Sequence, residues 1–421
     1  MRRTRIHAPV LLSLAIACTV DAATPDDADR VAALDDDDDD DEPAAALAAA
    51  QIEPPPASPP RAMPGARASF DEIAALVSSR YVDGGIDEDA LWTAAAEGVL
   101  ARLVHSSAHP VNELLSPAQR AELDAGVKGQ LVGVGVVIEK QGDVLVVRNA
   151  LPGGPAARAG ITAGDRILGV DGERVAAVDL PTVVGRIRGA EGTTVELFVQ
   201  RDTEEWTVPV VRDAIEVPSV EARMFDGGVG YLRVGPLAQA TPAHLDAALA
   251  TLRREHASSL VIDLRGCPGG WFEAAPAVIE RFVPAGAELV RVRDRDGNEE
   301  PIVARSAGGW VGTPIVALVT GETASGGEII AAALREHANA TLVGAPTVGK
   351  TTIESVHALS NGWALKLSEK RFVLADGSKG VVVPDVPIAM EPADRPPTLA
   401  AIDVGADPQL ATAMQLLRGR G

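Results

Sequence analysis

From residue 68 the apolar positions recur at helical spacing. The run "FDEIAALVSSRYV" sets Phe70, Ile73, Ala74, Val77 and Tyr81 on one side, and "DEDALWTAAAEGVLARLV" continues with Leu91, Ala95, Val99 and Leu103. Residues 68–126 are therefore expected to form a helical module. Near Val127 the pattern changes to short β runs punctuated by glycine: "LVGVGVVIE", "DVLVVRNAL", "DRILGVDGERV", "TTVELFVQR" and "EWTVPVVR". One helical stretch, Leu180 to Arg188, interrupts them, and the whole predicts a compact β-rich domain over residues 127–212. From Gly230 strands and helices alternate: "GYLRVGPL", helix "PAHLDAALATLRRE", "SLVIDLRG", helix "WFEAAPAVIERFV", "PIVALVT", helix "GGEIIAAALREH", "TLVGAP". That alternation predicts an α/β core of layered strands and helices over residues 213–421, closed by a C-terminal helix.

The first 67 residues follow neither period. Arg2, Arg3 and Arg5 precede an apolar run, Val10 to Cys18, that is too short to span a bilayer, which is the form of an export signal. Two processing sites fit. Val20-Asp21-Ala22 suits a peptidase that wants small residues and gives a signal peptide of residues 1–22. Ala15-Ile16-Ala17-Cys18 resembles a lipobox, which would remove residues 1–17 and lipidate Cys18 as a membrane anchor. Residues 23–67 are Asp-rich, then Ala-rich, then Pro-rich, a composition that buries too little apolar surface to fold and is expected to be a disordered linker.

Charge and cysteine content narrow the function. The net charge of −21 argues against nucleic-acid binding only weakly, because eleven acids sit in the single run Asp26 to Glu42. Cys18 and Cys267 are the only cysteines, so removal or lipidation of Cys18 leaves Cys267 without an intrachain partner. The seven histidines show no metal-ligand spacing, and neither a metal nor a cofactor is expected. His337 ends a helix, where its charge suits the dipole, and His105 and His109 fall in a loop.

The segment "GAPTVGKT", Gly344 to Thr351, satisfies the phosphate-loop pattern G-x-x-x-x-G-K-[ST] in every position. A phosphate loop must run into a helix whose first amides face the anion. Here "SVHALSNGWALKLSEK" follows, with a Ser-Asn-Gly turn and alternating Trp363, Leu365 and Leu367, which reads as a hairpin. The match is a coincidence of small residues, and no nucleotide is expected. Upstream, "GETASGGEII" puts Ser325 immediately before an amphipathic helix. It fits a helix N-cap, and it equally fits a nucleophile whose oxyanion would rest on free amides of the first helical turn.

Taken together, "GYLRVGPL", "LVIDLRGCPGG", "GETASGGEIIAAAL", "LVGAPTVGKTTIE", "LADG" and "GVVVPDV" resemble the C-terminal processing peptidases, exported serine proteases with a PDZ domain. The resemblance covers about three quarters of the chain. It implies a Ser-Lys dyad in which Ser325 is the nucleophile and Lys350, 25 residues later, is the general base. For the oxyanion hole it implies the N–H of Gly326 with that of Gly269 or Gly270. Lys350 must be neutral to accept a proton, so burial has to disfavour its charged form, and Val348, Gly349 and Ile353 are apolar enough to do so. The β-rich stretch resembles a PDZ domain. Gly133, Val134, Gly135 and Val136 would then hold the terminal carboxylate of a peptide added as a strand, and Ala157 to Leu168 would pack the domain.

Two positions depart from the family pattern. Glu354 stands where a glutamine is usual, next to the base, and an ionised carboxylate there opposes loss of the lysine proton. Cys267 stands where "DLR-x-N-P-G-G" carries asparagine, and reads as a buried structural cysteine in preference to an oxidisable thiol near the site. The function expected is an exported, periplasmic or cell-envelope serine endopeptidase acting on proteins or peptides with free C-termini. The rival is a catalytically weak PDZ adaptor that keeps the protease fold, and Glu354 is the residue that supports it.

Overall fold

The computed structural model describes residues 66–82, 87–103, 112–142, 144–151, 153–176, 178–378, 380–390 and 399–419. The expected signal peptide, Cys18, nearly all of the acidic and proline-rich linker, and His105 and His109 lie outside the described residues. The described residues fall into two units that divide after Arg102.

The first unit holds helices α1 (Ala66–Arg80) and α2 (Glu88–Ala101), the second started by an Asp87 side chain that accepts from Asp89 N–H. Phe70 and Trp92 meet at 4.9 Å between ring centroids. The helical spacing is as read, but Ala74 is the buried apolar residue, while Ile73, Tyr81 and Val99 are exposed. Two short helices have too much surface for their volume to bury a full stripe.

The second unit begins with a departure from the sequence reading. Glu113–Leu115 is not helical but a short strand, β1, followed by helix α3 (Pro117–Lys128). Ser116 and Gln119 form a reciprocal capping box at its start, and Gly129 ends it with a left-handed φ of 85°.

The β-rich domain follows as β2 (Gln130–Gly133), β3 (Val136–Gln141), β4 (Val144–Ala150), α4 (Pro155–Arg158), β5 (Arg166–Val170), β6 (Glu173–Arg174), α5 (Leu180–Ile187), β7 (Thr194–Arg201), β8 (Glu204–Val211) and β9 (Asp213–Glu216). Strands β3, β4, β5, β7 and β8 form an antiparallel sheet in that order, with β6 attached to β5. Alternate residues of β7, Val195, Leu197 and Val199, point into the domain's own core with Ile167 and Val183. Strands β2 and β9 pair with each other outside that sheet as the ribbon by which the chain enters and leaves the domain.

Past this domain the chain lays down β10 (Val220–Phe225), β11 (Val229–Val234), α6 (Thr241–Arg254), β12 (Ser259–Asp263), α7 (Ala274–Ile279), β13 (Glu288–Arg293), β14 (Glu299–Val303), β15 (Ile315–Val319) and α8 (Gly326–Ala338). It ends with β16 (Thr341–Gly344), β17 (Thr352–Ala358), β18 (Ala364–Leu374), β19 (Val386–Pro387) and α9 (Pro408–Arg418). The central sheet has the order β10-β11-β12-β15-β16-β19, parallel except for β10. Every residue of β12 and β15 is buried, as expected when helices cover both faces. Leu232, Ile262 and Ala317 face α6, α7 and α8, whereas Tyr231, Val261 and Val316 face α9. A second, antiparallel sheet joins β1, β18, β13 and β14, with β17 on the other side of β18.

Candidate active site

In an open parallel sheet the turns leaving the carboxyl ends of the strands converge, and that crevice is where such folds place their sites. Three turns meet here: residues 264–270 after β12, residues 320–325 after β15, and residues 345–350 after β16. Backbone bonds lock them together. Ala324 N donates to Cys267 O at 2.9 Å, Val348 N donates to Thr323 O at 3.1 Å, and the buried Thr323 hydroxyl donates to Leu264 O at 2.8 Å.

Ser325 ends the second turn, half-buried, at φ 52° and ψ −116°. A non-glycine residue is held at positive φ only where its surroundings fix it, and such strain collects at functional sites. Gly326 opens α8, so its N–H has no partner within the helix. The third turn brings Lys350 into the same crevice. The segment beyond it is strand β17, not a helix, so the phosphate-loop pattern lacks the helix N-terminus that would receive an anion.

Gly269, at φ 83°, packs directly on the serine. A methyl group at this position would lie 2.7 Å from both Ser325 Cβ and Gly326 N. Gly269 O accepts from Leu237 N at 2.8 Å, and Leu237 O accepts from Trp271 N at 2.8 Å. Those bonds fix the turn, which leaves Gly270 exposed at φ 140°. Gly269 N–H is turned instead to the Cys267 sulfur, which in turn donates to Gly235 O at 3.2 Å. Burial pushes the Cys267 thiol up to about 12, so this is an inert packed sulfur rather than a reactive one.

Sequence reading missed the residue that ties the turns together. Glu328, fully buried, accepts from Ser325 N at 2.7 Å and Lys350 N at 3.0 Å on one oxygen, and from Gly349 N at 2.6 Å and Thr347 Oγ1 at 2.5 Å on the other. Burial raises its carboxyl above the ordinary value, while these four donors pull the other way. The signal was present: Ser325-Gly-Gly-Glu328 has the S-x-x-E spacing of a capping box.

Lys350 Nζ donates to Glu354 Oε2 at 3.0 Å, and no hydrogen bond joins it to Ser325 Oγ. Glu354 is held from its other oxygen by Thr352 Oγ1 at 2.6 Å. The lysine side chain is 28% exposed and Val348 is exposed, so the apolar enclosure expected from Val348, Gly349 and Ile353 is only partial.

Below the crevice, Asp263 and Arg265 form a fully buried pair at 2.7 Å, extended by Asp407 at 2.9 Å and by the Tyr231 hydroxyl. Desolvation works against the Asp263 charge, yet Arg265 and Tyr231 hold its carboxyl below the ordinary value. The pair anchors the turn after β12 to α9.

Gly133, Val134, Gly135 and Val136 do not join this crevice. They form one wall of an apolar groove between β3 and α5, lined also by Ile138, Val184 and Ile187. The carbonyls of Val134 and Gly135 accept from Ala156 N at 2.8 Å and Leu151 N at 2.9 Å, which fixes the loop's orientation. Among the described residues no group of three His, Cys, Asp or Glu side chains gathers as metal ligands, and no helix is long and apolar enough to cross a membrane. His337 stands in the last turn of α8, and its Nε2 also lies 2.6 Å from Glu288 O.

Residues 228–388 match the peptidase family S41 and residues 146–201 match the PDZ domain. The carboxy-terminal processing protease CtpA of Bacillus subtilis (strain 168) is 31% identical over 293 residues, which are 69% of this chain and 62% of that protein. A CtpA-like serine protease of Staphylococcus aureus (strain COL) is 31% identical over 307 residues, 72% of this chain and 61% of its own length. The chain thus spans about three fifths of the length of these relatives. An S41 protease structure from Bacteroides fragilis NCTC 9343 covers 77% of this chain and 90% of its own, at 17% identity and a TM-score of 0.53, a likeness of fold. With an S41 core and a PDZ domain inserted ahead of it, the chain belongs to the family of C-terminal processing peptidases.

Proposed function

We propose that this chain is an exported serine endopeptidase that cleaves proteins presented by their C-terminal tails, with Ser325 and Lys350 as its dyad. One observation supports the reading above the rest: a single buried carboxylate, Glu328, accepts N–H groups from both Ser325 and Lys350, so the two turns are built as one unit. Neutral Lys350 takes the Ser325 Oγ proton as the oxygen attacks the scissile carbonyl carbon. The N–H groups of Gly326 and Gly270 receive the oxyanion, with Gly269 as the close-packed spacer between them. Collapse of the intermediate breaks the C–N bond, and the lysine ammonium returns its proton to the leaving amine. Water, deprotonated by the same lysine, then releases the acyl group from Ser325.

In this reading the groove between β3 and α5 takes the substrate tail as an added strand. Its carboxylate rests on the amides of Gly133 to Val136, and apolar side chains are accepted by Ile138, Val184 and Ile187. Residues 127–212 are the recognition domain and residues 213–421 the protease core. Residues 1–22 direct export, with lipid anchoring if Cys18 is the modified site. Mass spectrometry of the mature N-terminus decides between them, and a chain that keeps Met1 would sink the export reading.

The test of the dyad is cleavage of an unfolded protein by the wild type, Ser325→Ala and Lys350→Ala. Loss of cleavage in both variants is expected, and equal behaviour of all three overturns the assignment. A second reading, a PDZ adaptor with little catalysis, is favoured by the Lys350–Glu354 ion pair. It predicts tight binding of C-terminal peptides with no turnover at any pH.

A further inference from the structure

We propose that Glu354 is a proton latch on Lys350, holding the dyad in a resting state that opens as pH rises. The inference rests on the Ser325–Lys350 reading and adds regulation to it. Lys350 lies two residues ahead of β17, and its Nζ reaches Glu354, inside the strand, at 3.0 Å. Thr352 and Glu354 alternate onto one side of β17, and the Thr352 hydroxyl bond at 2.6 Å aims the carboxylate. Pairing between β17 and β18 slips at this point: Ile353 faces Lys370 and Glu354 faces Ser368, with Glu369 left over as a bulge. Bulges increase local twist and re-aim side chains, often beside active sites.

The charges around the pair come from three elements. Helix α8 contributes Glu328, which bonds the Lys350 backbone N–H and leaves Nζ alone. Strand β18 contributes Arg371, whose guanidinium reaches Thr351 Oγ1 at 3.4 Å, and Lys370, opposite Ile353. Glu369 of the bulge is engaged by His357 at 2.7 Å. Glu354 is thus the carboxylate bonded to Nζ. It stabilises the ammonium, the form that cannot accept the serine proton.

Glu354 acts through Lys350 and is a positioning residue, so its effect has opposite signs in two regimes. At neutral pH the carboxylate lowers the population of free amine. Where the amine is already free, the same carboxylate stabilises the ammonium that forms during attack and strengthens the base. The Glu354→Gln variant keeps the shape and the acceptor for Thr352 but removes the charge. It is expected to hold about tenfold more free amine at pH 7, the loss of one hydrogen bond between charged groups, and so to cleave an unfolded protein about threefold faster than the wild type once the weaker base is counted. Its rate should level off at lower pH and at a plateau roughly threefold lower, because base strength is shared between equilibrium and rate. The two pH profiles therefore cross.

The measurement is the pH profile of cleavage, paired with the labelling rate of Ser325 by a fluorophosphonate, and unchanged thermal melting checks that the variant folds. Superimposable profiles overturn the latch. A variant slower at every pH also overturns it and makes Glu354 a permanent relay member. Cleavage that survives in Ser325→Ala refutes the dyad itself, a separate failure.

Discussion

Replacing Glu328 by glutamine tests how the site is assembled. The carboxylate accepts four hydrogen bonds, two on each oxygen, at 2.5 to 3.0 Å. An amide keeps two of them and turns its NH2 toward the other two donors, which on one side are the N–H groups of Ser325 and Lys350. Hydrogen bonds to a charged group contribute about 1.5–3 kcal/mol each. Losing two removes about 3–6 kcal/mol of cohesion between the turns, and if rearrangement recovers half, about 1.5–3 kcal/mol is left. That corresponds to roughly a 10- to 150-fold lower kcat/KM for cleavage of an unfolded protein. Stability should move the other way. The folded-state pKa of Glu328 is raised above its ordinary 4.5, so its stabilising contribution is complete below that value and is lost as pH rises through the raised one. The glutamine variant escapes this loss, and its urea midpoint should gain on that of the wild type between pH 4 and pH 8. Activity within threefold of wild type would refute the role in joining the turns, and a midpoint that falls behind with rising pH would refute the electrostatic argument.

Other outcomes follow from single contacts. Gly269→Ala introduces a methyl group 2.7 Å from Ser325 Cβ and Gly326 N, and cleavage together with fluorophosphonate labelling should fall at least a hundredfold while the recognition domain still binds peptide. Cys267, fully buried with its thiol pushed up to about 12, should resist iodoacetamide at pH 8 in the native protein and react after unfolding; peptide mapping that finds native alkylation at the rate of a free thiol contradicts the packing described. A peptide ending in an apolar residue with a free carboxylate should bind at least tenfold tighter than its C-terminal amide, measured by fluorescence anisotropy, if the amides of Gly133 to Val136 hold that group. Equal affinities would move the binding site away from the loop.

Much of the α/β core was legible because its signals are local. Strand β15 is an unbroken apolar run and β12 is built on Leu260 to Ile262, as burial on both faces requires, and the hairpin β17–β18 was announced by Ser360-Asn361-Gly362. The Leu180 to Arg188 helix agrees to within one residue, its start fixed by the Asp179 cap. What escaped were elements defined by distant partners. Glu113–Leu115 is too short to show a period and is a strand because Lys366, Leu365 and Ala364 pair with it from the far end of the chain. Helix α7 is shorter than its apolar run because the surrounding residues pack as turns against the sheet.

Ser325 and Lys350 are proposed from the resemblance and their spacing, and that spacing says nothing of what joins their turns. Glu328 looks like the end of an ordinary capping box, and it does accept the Ser325 N–H as such a residue should. Its second oxygen and spare lone pairs are satisfied by residues 347 to 350, which no local pattern relates to it. The same holds for Glu354. Sequence puts a carboxylate near Lys350, but only the fold shows it bonded to Nζ and held there by Thr352. Two glutamates thus grip one lysine for different ends. Glu328 bonds its backbone N–H, and in the proposed latch Glu354 holds its ammonium, which makes no hydrogen bond to Ser325. The first contact must persist through turnover while the second must break, so the two substitutions to glutamine should act oppositely on cleavage at pH 7. A pair of variants that both slow the reaction would mean that one carboxylate has been given the wrong role.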